Sequence, residues 1–183
     1  ELYDFLLDLG SFPQRELSPD DLRSTRNENS GLPGARRYVG QAAAFRLAYE
    51  ADPSLLDGFT ARQGIALTVP ADKRKDCLAH LMARAADGDP AARRVFLQVG
   101  RGVGEMSREL ALLLHPATDT RYLFGRFVKD PACFRLLQEG CRQIVPSLRL
   151  EAADEELTCT PLMRVLSAHG VTVAQFGQAI GAM

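Results

Sequence analysis

The longest unbroken pattern in this chain begins at Asp89-Pro90 and runs to about His115. Val95, Val99, Val103, Met106, Leu110, Leu113 and Leu114 recur along it at three-to-four spacing, which marks one buried helix face. Asp89 reads as the N-cap and Pro90 as the first helical residue, where a missing N–H costs nothing. A helix of about two dozen residues is roughly 37 Å long, as long as a small domain is wide. The fold has to be organised around it.

On either side the sequence predicts shorter elements. Residues 2–10 read as a short helix or an edge strand, and residues 11–34, dense in Ser, Pro, Asp, Asn and Gly, as a loop. Ala35 to Glu50, with Tyr38, Ala42 and Phe45 in register, reads as one amphipathic helix ending near Asp52-Pro53. A second loop is expected to about Ala71. Asp72 then caps a helix that buries Cys77, Leu78, Leu81, Met82 and Ala85 before Gly88 stops it.

Beyond Pro116, the β-branched and aromatic stretch Thr120–Val128 reads as a strand interrupted by Gly125. Asp130-Pro131 opens a helix with Phe134, Leu137, Cys141 and Ile144 inward, and Leu148–Ala152 reads as a second strand. Two strands joined through a helix predict a parallel, right-handed βαβ unit. A helix from Thr160-Pro161 to Gly170 and a last one capped by Thr172, with Val173, Phe176 and Ile180 inward, complete a helix-rich α/β chain.

With 22 basic against 23 acidic residues, the chain has no general electrostatic pull toward nucleic acid or an anionic membrane, so neither is expected as a partner. No apolar run approaches the ~20 residues of a membrane span and no signal peptide is legible at the start, which makes the cytoplasm the default location. The opening lacks an initiating Met, and residues are expected to precede position 1. Cys77, Cys133, Cys141 and Cys159 lie far apart with no C-x-x-C pair, a pattern expected of isolated thiols in a reducing compartment rather than a metal site.

Two glycine segments stand out as candidate sites. Gly100-Arg101-Gly102-Val103-Gly104 has the look of a phosphate loop but lacks the preceding strand and the Lys-Ser/Thr of one. Gly100 and Gly104, one turn apart, would let this helix approach a neighbour or a ligand closely. Phe124-Gly125-Arg126 lies at the carboxyl end of a predicted strand, where open α/β sheets bind ligands. Gly125 is the strongest single candidate, beside a purely conformational need for glycine at a turn. His80 and His169 are isolated and His115 ends a helix, so no catalytic residue is assigned. Asp154-Glu155-Glu156 reads as an acidic loop, and Arg36-Arg37 and Arg93-Arg94 as exposed helix positions.

The order long helix, Pro116 break, strand ending in a Gly turn, helix, strand, and a final Gly177-Gln178-Ala179-Ile180-Gly181-Ala182 helix resembles the carboxyl-terminal lobe of ROK-family sugar kinases. These belong to the actin/hexokinase-like (ribonuclease H-like) ATPase superfamily. The resemblance covers residues 89–183 and makes residues 1–88 a loop-rich, helical inter-lobe region of the same lobe. It implies nucleotide binding at Gly125, Arg126, Gly100 and Gly104, ATP with Mg²⁺ as cofactor, a sugar as second substrate and a homodimer. The sequence departs from the family at two points. The family's C-x-C-G-x-x-G-C zinc motif has no counterpart, the Asn27–Gln41 stretch having no Cys, so no zinc is expected; and Arg126 stands where a second Gly is usual. The catalytic Asp of the family belongs to the other lobe. By this resemblance the chain supplies binding for a sugar kinase but is not self-sufficient. A non-catalytic sensor or scaffold of the same superfamily, or a helical protein-interaction module, are the alternative readings.

Overall fold

The computed structural model describes residues 17–27, 31, 34–153 and 161–171. The expectations for Leu2–Gly10, Asp154-Glu155-Glu156, Cys159 and the final helix from Thr172 lie outside these residues. Six helices are described: α1 (Arg36–Val39), α2 (Gln41–Ala51), α3 (Arg74–Ala86), α4 (Pro90–Leu114), α5 (Pro131–Ile144) and α6 (Pro161–Ala168). A hairpin of β1 (Ala61–Gln63) and β2 (Ala66–Thr68) precedes α3, and β3 (Thr120–Leu123) pairs in parallel with β4 (Arg149–Ala152) across α5. The chain is thus helix-dominated α/β.

α4 forms as its sequence requires. The Asp89 carboxylate accepts from the N–H groups of Ala91 and Ala92 at 2.8 and 3.1 Å, behind Pro90 at the first position. Asp130 and Pro131 repeat this at α5, where the carboxylate accepts from Cys133 N at 2.9 Å. The joint between α3 and α4 is equally local. Gly88, at φ 93°, allows Gly88 N to donate to Ala85 O and Asp89 N to Arg84 O, the paired bonds of a Schellman ending. The Arg84 side chain then pairs with the same Asp89 that caps α4.

α4 and α5 meet backbone to backbone. A methyl group at Gly100 would lie 2.7 Å from Leu137 Cα, and one at Gly104 would lie 2.9 Å from Ile144 Cβ and 3.0 Å from Cys141 O. From the opposite side, one at Gly140 would lie 2.9 Å from Arg101 N and closer still to the Leu97 carbonyl. Gly102, on another face of α4, makes the same close approach to Tyr38 O of α1 at 2.9 Å. Around this contact Val95, Phe96, Val99, Leu136, Leu137 and Cys141 join Phe45, Leu55, Leu81 and Leu150 in one core, which crosses the boundary at residue 88.

Four expectations need correction. The helix expected over 35–50 breaks at Gly40, whose extended backbone separates α1 from α2; glycine is a poor helix former, and the offset lets Tyr38 O reach Gly102. The loop expected to Ala71 contains the β1–β2 hairpin, turning through Gly64 (φ 61°) and Ile65. α3 starts at Arg74 with no side-chain cap, so Asp72 does not cap it. The buried stripe of α4 ends near Ser107, and Leu112, Leu113 and Leu114 are exposed, because α5, with 14 residues against 25, is too short to cover the far end.

The segment before α1 is held by one buried carboxylate. Asp21, 1% exposed, accepts from Leu67 N of β2 at 3.0 Å and from Arg23 through its backbone N–H and its guanidinium at 2.7–2.9 Å. Leu22 N donates to Leu67 O at 2.7 Å beside it. Burial would raise the Asp21 pKa, but the Arg23 side chain and the two backbone N–H groups outweigh it and bring the pKa down to about 2.

Two outcomes follow from these contacts. Gly140→Ala should lose about 2 kcal/mol of stability in urea denaturation, overpacking exceeding the helix-propensity gain, whereas Glu139→Ala, one residue away and exposed, should change it by less than ~0.5 kcal/mol. Because the folded pKa of Asp21 is depressed, its contribution is complete above pH ~4 and is lost as pH falls toward 2. Asp21→Asn should therefore cost about 2 kcal/mol at pH 7, with the difference from wild type shrinking between pH 4 and pH 2.

Candidate functional site

The turn after β3 begins where the strand's last ladder bond is made, Ala153 N donating to Leu123 O at 2.9 Å. Gly125 follows at φ 99° and ψ −159°, a backbone conformation open to glycine and strained for other residues. A short 3-10 turn, Arg126–Val128, then delivers the chain to Asp130 and α5. The strand expected to run to Val128 thus ends at Leu123. Phe127 anchors the turn against α4, its ring edge-on to Phe96 at 6.0 Å and 82°.

On the outer side Phe124, Gly125 and Arg126 are all exposed. Beyond its chain neighbours no atom lies within 4 Å of where a Gly125 side chain would start, so the glycine is required by its backbone angles and not by a close neighbour. The N-terminus of α5 points to the same end, but Asp130 and Pro131 occupy it. The turn therefore offers an exposed aromatic side chain, Phe124, in a segment that also exposes the cations Arg126 and Lys129. It suits a planar ring better than a phosphate cradle, which needs free backbone N–H groups.

The four sequence-selected residues do not converge. Gly125 and Arg126 share the turn, whereas Gly100 and Gly104 are covered by α5 through Leu137, Cys141 and Ile144, which leaves no space for a ligand on that face. The histidines sit on separate elements. His80 packs on Phe59 at 5.3 Å, His115 closes α4 in the left-handed conformation, and His169 is exposed after α6. Among the described residues no group of three or more His, Cys, Asp or Glu side chains is placed to hold a metal ion, and no helix is long and apolar enough to cross a membrane.

Cys77, Cys133 and Cys141 are free and buried. Burial pushes the Cys77 and Cys133 thiols up to about 12 and Cys141 to about 11, which leaves them protonated and unreactive at neutral pH. Arg37, read from sequence as exposed, is 4% exposed, and Arg46 is 1% exposed. Arg46 donates to Arg37 O at 3.2 Å, pairs with Glu50 at 3.2 Å and stacks over the Tyr38 ring at 5.6 Å. The i,i+4 spacing of Arg46 and Glu50 was the one sequence signal for this cluster.

No protein-family model matches the chain, and no curated protein and no solved structure matches it.

Proposed function

We propose that the chain is the nucleotide-side lobe of a ROK-like, ATP-dependent sugar kinase with an actin/hexokinase-like fold, and that the Phe124-Gly125-Arg126 turn is its adenosine shelf. The observation that carries this reading is the positive-φ glycine, open to solvent, at the carboxyl end of a strand paired in parallel through a βα crossover. Ligands of open α/β sheets sit at that end of the strands. Phe124 supplies an apolar face for a base and Arg126 a guanidinium for ribose or phosphate oxygens.

The lobe's part is binding. Phosphoryl transfer draws most of its rate from positioning and electrostatic stabilisation, and no residue described here is assigned as the base. The described residues fit the base of ATP better than its metal, since they offer no carboxylate cluster to Mg²⁺. A second reading, a non-catalytic sensor, scaffold or interaction module, is favoured by the exposed leucines at the end of α4, of which Leu112 is 73% and Leu114 63% exposed, together with exposed Tyr122. Large apolar side chains exposed together at one helix end are a feature of surfaces that meet another protein.

Titration of ATP and ADP with Mg²⁺ while following thermal unfolding separates the two. Nucleotide at ten times its Kd should raise Tm by about 3–6 °C. Phe124→Ala, an exposed position that leaves the fold intact, should weaken binding about tenfold; Gly125→Val should weaken it further but also cost ~1–3 kcal/mol in backbone strain. Absence of any shift at millimolar nucleotide would remove the adenosine shelf and leave the interaction-module reading.

A further inference from the structure

We propose that the free edge of β3 pairs with the same edge of a second copy of this chain, joining the two β3–β4 ribbons into one four-stranded sheet about a two-fold axis at Tyr122. Among the described residues β3 and β4 form a parallel sheet of only two strands. Parallel sheets stand almost only where both faces are covered, and two strands alone are marginal in water. Here Leu150 is buried on the inner face, while Tyr122, 60% exposed, Arg149 and Glu151 lie on the other.

The hydrogen bonds show which edge is open. Arg149 N donates to Asp119 O at 2.8 Å and Ala153 N to Leu123 O at 2.9 Å. The odd-numbered residues of β3 therefore turn their backbone groups to β4, and Thr120 and Tyr122 turn theirs away from it. On the outer edge of β4 the Leu150 carbonyl accepts from Gln138 Nε2 of α5 at 3.0 Å, which closes that edge. On β3 the Thr120 carbonyl accepts from the Arg121 guanidinium at 2.9 Å. Among the described residues the N–H and C=O of Tyr122 have no hydrogen-bond partner.

A donor and an acceptor side by side on a strand edge are a template for another extended strand. A second copy supplies one by symmetry, because about a two-fold axis Tyr122 exchanges both bonds with the partner's Tyr122, an isologous contact. In this antiparallel register Arg121 stands opposite the partner's Leu123, so no like charges meet. An axis at residue 121 would set guanidinium against guanidinium, which disfavours that register. Glu151 and the partner's Glu151 lie three strand spacings apart, about 14 Å, beyond the screening length at physiological salt. The two tyrosine rings, exposed in the single chain, become a cross-strand aromatic pair.

So short an edge places the contact at the small end of specific interfaces, and the dimer is a weak one. Sedimentation velocity of the full chain between about 10 µM and about 500 µM should show a concentration-dependent shift from 20.0 kDa toward twice that mass. Tyr122→Pro removes the outward N–H and leaves the ladder to β4 in place, and Tyr122→Lys sets two cations face to face. Each should raise the dimer Kd at least about tenfold, with the monomer's thermal unfolding as the check on its fold.

Cysteine capture reads the register itself. Residues in such a pair have Cα atoms about 5.5 Å apart, within disulfide reach. In a Cys159→Ser background, Tyr122→Cys treated with oxidised glutathione should form a disulfide-linked dimer at least about tenfold faster than Arg93→Cys, an exposed position on α4. A monomer at every concentration, a dimer that both Tyr122→Pro and Tyr122→Lys leave unchanged, or equal capture at the two cysteine positions overturns the proposal. None of these variants alters Phe124, Gly125 or Arg126, so the outcome is independent of the kinase-like reading.

Discussion

Three glycines set the distance between the two helices on which the rest of the chain is assembled. Gly100 and Gly104 of α4 and Gly140 of α5 each stand where a methyl group would strike the backbone or Cβ of the other helix. Glycine in a helix costs about 1 kcal/mol relative to alanine, a local penalty repaid by the close interdigitation that follows. With the backbones this near, Val99, Val103, Leu137 and Cys141 are buried in one core, and β3 and β4 flank α5 in the chain. Gly102 extends the device to α1, so α4 carries neighbours on more than one face by omitting side chains.

Outside this contact the chain is held by polar ties at element ends. Asp89 serves twice, as the cap of α4 and as the partner of Arg84, and thereby fixes the angle between α3 and α4. Asp21 presents one carboxylate to both Arg23 and the β2 backbone, covering an edge that would otherwise expose unpaired groups. Arg46 links α1 and α2 across the break at Gly40. Each tie lies at a chain reversal, where hydrophobic contact is thin and a misplaced polar group would be costly to bury.

The Gly125 turn is open and exposes Phe124, and it is anchored by Phe127 on Phe96. The cavity beside α1, of about 110 Å³, is lined by Arg36, Arg37 and Arg74 together with Asp20. The exposed leucines at the end of α4 follow from a mismatch in length, since among the described elements that helix outruns α5, its main partner.

What the sequence determined by itself was local. The starts of α4 and α5 at Asp89-Pro90 and Asp130-Pro131, the stop at Gly88, the inward face of α3 and the parallel pairing of β3 with β4 were legible because caps, proline, glycine and hydrophobic period act within a few residues. The turn at Gly125 was legible for the same reason. The partners of Gly100 and Gly104 were not, because spacing shows that a helix face is small and not what fills it. The break at Gly40, the burial of Arg37 and Arg46 and the end of the α4 stripe at Ser107 were decided by tertiary packing. So was the gathering of Arg36, Arg37 and Arg74 around one cavity, for residues 37 positions apart meet only when hairpin and helices have closed around them.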